Sequence, residues 1–349
     1  MEDADRDAAE FPSPAAASSR RTMLAAPLVA MAGAATAQRV GRGDKGRNPW
    51  TATYTAQKGT TPLALYRRRA VAPGRVADGR SVILLAHGSS FGALASYDLS
   101  VRSGTEYSLM NILARRGFDV WAIDFDGYAR SGSSGGNSDI ASGVEDLRAA
   151  VGVIERETGQ RRLHLYGQSS GAIRVGAYAM AEPERAGHLI LESFSWTGEG
   201  SPTLAARRRN IQALHASPRR KRDRDSIAAI FTRDHPEATD PEVIEAMLAA
   251  ELPFGNSVPS GSYIDMAINL PLVDPTRLAS PVMMIRGQYD GNSTDAELMS
   301  FFAKLSNANR QYISIAGAAH GILLGRMRGM LHRSLLAFLP LPNAAAMAE

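Results

Sequence analysis

The chain has 349 residues, a formal net charge of +4 and no cysteine. Apolar residues make up 44% and charged residues 21%, an ordinary soluble balance with length enough for a large core. Lack of cysteine excludes disulfides, thiolate nucleophiles and Cys-ligated metal sites; the mild basic excess has no basic–aromatic stripe of the kind that binds nucleic acid.

Residues 1–37 read as an export leader. Ser19-Arg20-Arg21-Thr22-Met23-Leu24 precedes an apolar stretch to Ala34, and Ala35-Thr36-Ala37 supplies a small-residue cleavage site. The paired arginines are similar to a bacterial twin-arginine signal, although Ala25 stands where lysine is usual. The apolar run is too short for a stable membrane span. An exported, periplasmic or extracellular protein is therefore expected. Residues 38–49 read as a polar linker. The G-x-G-x-x-G of Gly41 to Gly46 has no strand before it and no helical pattern after it, so it is not a dinucleotide fingerprint.

From Trp50 the pattern changes. Residues 50–57 and 62–71 alternate like a strand pair. Short apolar runs follow at 81–86, 120–123, 163–166, 188–191, 282–285 and 312–315, as in strands covered on both faces of a parallel sheet. Helical patterns lie between them at about 105–116, 139–157, 170–182, 293–305 and 321–338. This alternation predicts an α/β fold with helices on both sides of a mostly parallel sheet. Residues 196–275 interrupt it. They hold helical stretches at about 203–215 and 240–251 and a basic segment at 219–225 that reads as a solvated face. The expected organisation is a core of 50–195 and 276–340, with 196–275 inserted as a mainly helical cap.

Gly167-Gln168-Ser169-Ser170-Gly171 follows a predicted strand and opens a predicted helix. That is G-x-S-x-G in the context of a nucleophile elbow, where a sharp turn lifts the serine above the sheet edge and small flanking residues avoid collision. A serine hydroxyl needs a base, and the base needs a carboxylate to orient it. Asp290 follows the 282–285 strand and His320 follows the 312–315 strand, so all three loops emerge along one sheet edge. Glu192, after the 188–191 strand, is an alternative acid. The backbone N–H of Ser170 and that of Ser89, in the turn after the 81–86 strand, are candidate oxyanion donors. His87 reads as a brace for that turn, and His164 and His188 as core residues. The histidines show no metal-ligand spacing, and no cofactor is expected.

With His87-Gly88, the turn Asp124 to Ser131, Gly167 to Gly171, Gly287-Gln288-Tyr289-Asp290 and Ala319-His320-Gly321 in view, the chain from about 50 to 340 resembles an esterase- or lipase-like serine hydrolase of the α/β-hydrolase fold with a helical cap. The resemblance implies Ser169 as nucleophile, His320 as base and Asp290 as orienting acid. Many relatives have Arg where Asp126 stands and His where Gln168 stands. The expected activity is cleavage of small to medium apolar carboxylic esters through an acyl-enzyme. Amide, peptide or carbon–carbon bond hydrolysis by the same triad is the alternative, and a non-catalytic binding module on the same fold is a remote one. Phe91, Tyr128, Gln168 and Trp196 are candidate substrate contacts, and Phe231, Phe254, Tyr263 and Met266 candidate apolar wall residues. The expected partner is a small-molecule ester; the sequence sets no oligomeric state.

Overall fold

The computed structural model describes residues 38–39, 49–74, 79–340 and 342. The export leader and the glycine-rich 41–46 segment lie outside these residues. Strand β1 (Gln38–Arg39) falls within the expected linker and pairs antiparallel with β2 (Trp50–Lys58), which pairs antiparallel with β3 (Thr61–Arg69). Next come β4 (Val82–Ala86), α1 (Ala93–Tyr97), α2 (Leu109–Arg115), β5 (Asp119–Ile123), α3 (Ile140–Thr158), β6 (Leu163–Gln168), α4 (Ser170–Ala181) and β7 (Ala186–Glu192).

The chain then leaves the sheet. It forms α5 (Pro202–Arg209), α6 (Ile211–His215), β8 (Arg219–Lys221), α7 (Arg224–Thr232), α8 (Pro241–Glu251), β9 (Ser257–Pro259) and α9 (Gly261–Ile264). It returns through β10 (Val282–Gly287), α10 (Asp295–Lys304), β11 (Arg310–Ile315) and α11 (Arg328–Phe338). The sheet order is β1-β2-β3-β5-β4-β6-β7-β10-β11, parallel from β5 onward. Strands β8 and β9 form a separate antiparallel pair.

Side-chain alternation explains the apolar runs. Val82, Leu84 and Ala86 of β4 join the core on one face, beneath α3, α4 and α10. Ile83 and Leu85 join the core on the other, beneath α1, α2 and α11. Both faces of the strand are dry, and each fully buried leucine or isoleucine contributes roughly 1.5–3 kcal/mol. Connections reverse direction at β4, which has β5 on one side and β6 on the other. A crevice opens at the carboxyl ends of strands around such a reversal, and both the His87-Gly88 turn and the serine turn emerge there.

Several predicted elements are subdivided. The single helix expected at 203–215 breaks at Asn210, whose backbone leaves helical geometry. The helix expected at 321–338 begins as a 3₁₀ turn at Ile322–Leu324. Gly325 then becomes extended, and the Arg326 N–H donates to the Ala238 carbonyl at 2.8 Å before α11 starts. Helices α1 and α9 are too short to show periodicity in sequence. Helix α7 hides in the charge-dense segment, its start fixed by the Asp223 side chain accepting from the Ser226 N–H at 3.1 Å.

Candidate active site

Ser169 stands between β6 and α4 at φ +56° and ψ −120°, a conformation that costs a non-glycine residue about 1–3 kcal/mol. Close packing enforces it. A Cβ on Gly171 would lie 2.1 Å from the Ala86 carbonyl oxygen, and one on Gly167 would lie 2.4 Å from the Gly171 carbonyl oxygen. The serine N–H is tied to the Glu192 carbonyl at 2.8 Å. The turn therefore has no slack, and the hydroxyl is held out from it.

Ser169 Oγ lies 3.1 Å from His320 Nε2, and His320 Nδ1 lies 2.9 Å from Asp290 Oδ1. All three side chains are buried to nine-tenths or more. The same Asp290 oxygen accepts from the Asn292 N–H at 2.9 Å. Burial alone would raise the Asp290 carboxyl; the facing His320 and the Asn292 N–H outweigh it and hold the group below its ordinary value. The Ser193 hydroxyl donates to the His320 carbonyl at 2.8 Å and fixes the histidine loop from behind.

Glu192 does not reach the histidine ring. Its carboxyl takes the Tyr166 hydroxyl and the Leu323 N–H instead, the latter at 3.1 Å. Fully buried, it is raised to about 7 by loss of solvation. The alternative acid thus belongs to the wall behind the site, while Asp290 faces His320.

The second turn is braced from several sides. A carbon added to Gly88 would lie 3.3 Å from Ser169 Cβ, so the His87-Gly88-Ser89 turn abuts the serine. His87 Nε2 accepts from the Phe125 N–H at 3.1 Å, which makes Nδ1 the protonated nitrogen, and Nδ1 lies 2.7 Å from the Gly88 carbonyl oxygen. Burial lowers His87 to about 3, so the ring is neutral and acts as this brace. Tyr128 donates to the Ser89 carbonyl at 2.9 Å. The held Gly88 carbonyl fixes the plane of the Gly88–Ser89 peptide, which carries the Ser89 N–H, and the held Ser89 carbonyl fixes the next one. The N–H groups of Ser89 and Ser170 donate to no protein acceptor among the described residues. Their hydroxyls bond each other at 2.7 Å, and Ser262 donates to Ser89 Oγ at 2.8 Å.

The pocket over Ser169 has an apolar side and a cationic side. Phe91, Ile230, Phe231 and Leu324 make the first, with the rings of Phe91 and Phe231 stacked at 5.7 Å. Arg207, Arg233 and Tyr263 make the second, and Gln168 lies at its rim with the serine. Two expected substrate contacts are elsewhere. Tyr128 sits behind the Ser89 turn, spent on the carbonyl just described. Trp196 donates to the Val273 carbonyl at 3.1 Å and packs edge-on against Phe301. Met266 is fully buried and Phe254 lines a different cleft.

Sequence reasoning missed the arginines. The basic segment is not a solvated face throughout: Arg222 is 2% exposed and bonded to Glu251, and Arg220 donates to the Ser89 carbonyl at 2.7 Å. Their spacing of two, matching a strand face, was the available signal. Asn292 was missed too. It lies 3.4 Å from His320 Nε2 and accepts from Arg233 at 2.9 Å.

Sheet order and the carboxyl-edge serine, histidine and aspartate define a serine hydrolase of the α/β-hydrolase fold. More narrowly, residues 101–326 match the model of the family described as serine aminopeptidase, S33, and the chain belongs to that family. Among curated proteins it is similar to a 2-hydroxy-6-oxononadienedioate/2-hydroxy-6-oxononatrienedioate hydrolase of Paraburkholderia phymatum. Identity is 30% over 128 residues, 36% of this chain and 39% of that protein. The chain spans under half the length of the curated relatives it matches. Among solved structures it is similar to a hydrolase from Pseudomonas aeruginosa, with TM-score 0.61, 22% identity, and 82% of this chain and 97% of that one covered. It is also similar to the 2-hydroxy-6-oxo-6-phenylhexa-2,4-dienoate hydrolase of Rhodococcus sp. strain RHA1, with TM-score 0.59, 17% identity, and 83% and 99% covered. These structural likenesses bear on the fold.

Proposed function

We propose that the chain hydrolyses carboxylic esters by way of an acyl-enzyme on Ser169. His320 takes the hydroxyl proton as Ser169 Oγ attacks the carbonyl carbon. The oxyanion is received by the N–H groups of Ser89 and Ser170, and Asp290 holds the imidazolium. Collapse expels the alcohol, which leaves with the proton from His320. A water then attacks the acyl carbon, gives its proton to the same imidazole, and Ser169 departs as the acid is released. The observation that carries this reading is the hydrogen-bonded run from Ser169 through His320 to Asp290, at 3.1 and 2.9 Å, beside two unused amide donors. The 196–275 insertion serves as the cap that shapes the pocket.

A second reading is supported by the curated relatives. Their printed substrate, 2-hydroxy-6-oxononadienedioate, has no ester bond, so its hydrolysis breaks carbon–carbon instead. The same nucleophile, base and oxyanion donors suit attack on a ketone, with the carbon leaving group taking the proton.

One panel separates the readings: 4-nitrophenyl esters of graded chain length, 4-nitroanilides, and 2-hydroxy-6-oxodienoates, each beside a Ser169→Ala control. Ester turnover lost in the control supports the first reading, and faster dienoate cleavage moves the assignment to the second. Turnover of every class surviving Ser169→Ala would end both. Export by the leader is part of the proposal; sequencing the amino terminus of secreted protein tests it.

A further inference from the structure

The cationic side of the pocket is unusual in its lack of carboxylates. Arg207 is buried, and no carboxylate pairs with it among the described residues. Its polar neighbours are the Met266 sulfur at 3.4 Å and Tyr263, whose ring it covers at 3.8 Å. Arg220 covers the same ring at 3.6 Å. It spends one nitrogen on the Ser89 carbonyl and the Ser90 hydroxyl, and its buried Nε has no partner. Arg233 reaches the Asn292 side chain and, at 3.4 Å, Asp234, the single carboxylate paired with the group.

Three guanidinium groups thus act on Tyr263, with Asp234 paired to Arg233 and Asp290 near enough to feel its charge, while Arg207 has no acid of its own among the described residues. Burial, then the neighbouring Arg233 and Arg220, work against the charge on Arg207, with Tyr263 opposing. Tyr263, although buried, is drawn down to about 6 because the three arginines outweigh its loss of solvation. Of the three only Arg207 is buried, and its charge has no carboxylate partner among the described residues. A buried charge without a counter-ion is strongly unfavourable, and an arriving anion relieves it.

We propose that the substrate carries a carboxylate, seated on Arg207 and Arg233 against Tyr263, with its apolar chain along Phe91 and Phe231 and its scissile carbonyl at Ser169. This deepens the hydrolase reading above and rests on it. A guanidinium fork matches a carboxylate in two parallel hydrogen bonds, which favours a planar carboxylate here. The wholly apolar substrate expected from the aromatic residues of the insertion is accordingly revised to one with an apolar body and an anionic end.

The test has a binding arm and a turnover arm. Adipate binding to Ser169→Ala is measured by calorimetry, with and without Arg207→Gln, and inorganic phosphate is the competing anion. Adipate should bind, and Arg207→Gln should weaken it about 10- to 100-fold. In the wild type, mono-4-nitrophenyl adipate should exceed 4-nitrophenyl hexanoate in kcat/KM at least about tenfold, and Arg207→Gln should collapse that ratio. If Arg207→Gln fails to fold, Arg233→Gln gives the same readouts. No adipate binding, tighter binding of phosphate than adipate, or equal rates for the two esters overturns the proposal. Adipate binding without turnover of any substrate would leave the arginine site standing and remove the hydrolase reading.

Discussion

Replacing Glu192 by Gln should stabilise the protein, and only above acidic pH. The carboxyl lies fully buried behind the His320 loop between Tyr166 and the Leu323 N–H, with no cation bonded to it. Loss of solvation raises it from 4.5 to about 7. At about 1.4 kcal/mol for each tenfold change in proton affinity, ionising it costs the folded state about 3 kcal/mol more than the unfolded chain. A raised acid contributes fully below its unfolded value, and that contribution is lost as pH climbs from 4.5 through about 7. Gln has the shape of the protonated acid and keeps an oxygen for the Leu323 N–H. Urea unfolding at pH 4 should therefore give the wild type and Glu192→Gln similar stabilities. At pH 8 the variant should be more stable by about 3 kcal/mol. Parallel pH profiles for the two proteins would refute the reasoning, and a variant less stable at pH 8 would show that an ionised Glu192 is held by a partner.

Three further outcomes follow from the geometry. Asp290→Asn should lower kcat by about 10⁴-fold in a nitrophenyl ester assay, because an amide there favours the wrong tautomer of His320; a loss under tenfold would return the acid's role to another carboxylate. His87→Phe should release the Gly88 carbonyl and misaim the Ser89 N–H, lowering kcat by up to about 100-fold while KM moves little; a change confined to KM would contradict the brace. Arg222→Met should cost about 3–5 kcal/mol in urea unfolding by leaving Glu251 buried without its cation, and Arg222→Met with Glu251→Leu should recover most of it; a double variant no better than the single would count against the pair.

The sheet was legible because its strands are buried on both faces. Val82 to Ala86 or Val282 to Ile285 admit no polar residue, and such runs stand out against any background. The serine turn was legible because the approach of Gly171 to Ala86 permits only glycine. The 196–275 insertion was harder. Besides its apolar cluster it turns arginines inward, and an arginine reads as a surface residue until its partners are known. Glu251 lies 29 positions from Arg222, and the Ser89 carbonyl 131 positions from Arg220. No local pattern announces such contacts. Helix α1 and the break at Asn210 escaped for a different reason: single turns and single breaks fall below the length at which periodicity can be seen.

The Ser89 carbonyl accepts from Tyr128, on the sheet side, and from Arg220, on the insertion. One peptide unit beside the serine is thus clamped jointly by scaffold and insertion. Replacing this insertion with another would unfasten half of that clamp, so redesign has to carry Arg220, or an equivalent donor, along with whatever new segment it installs.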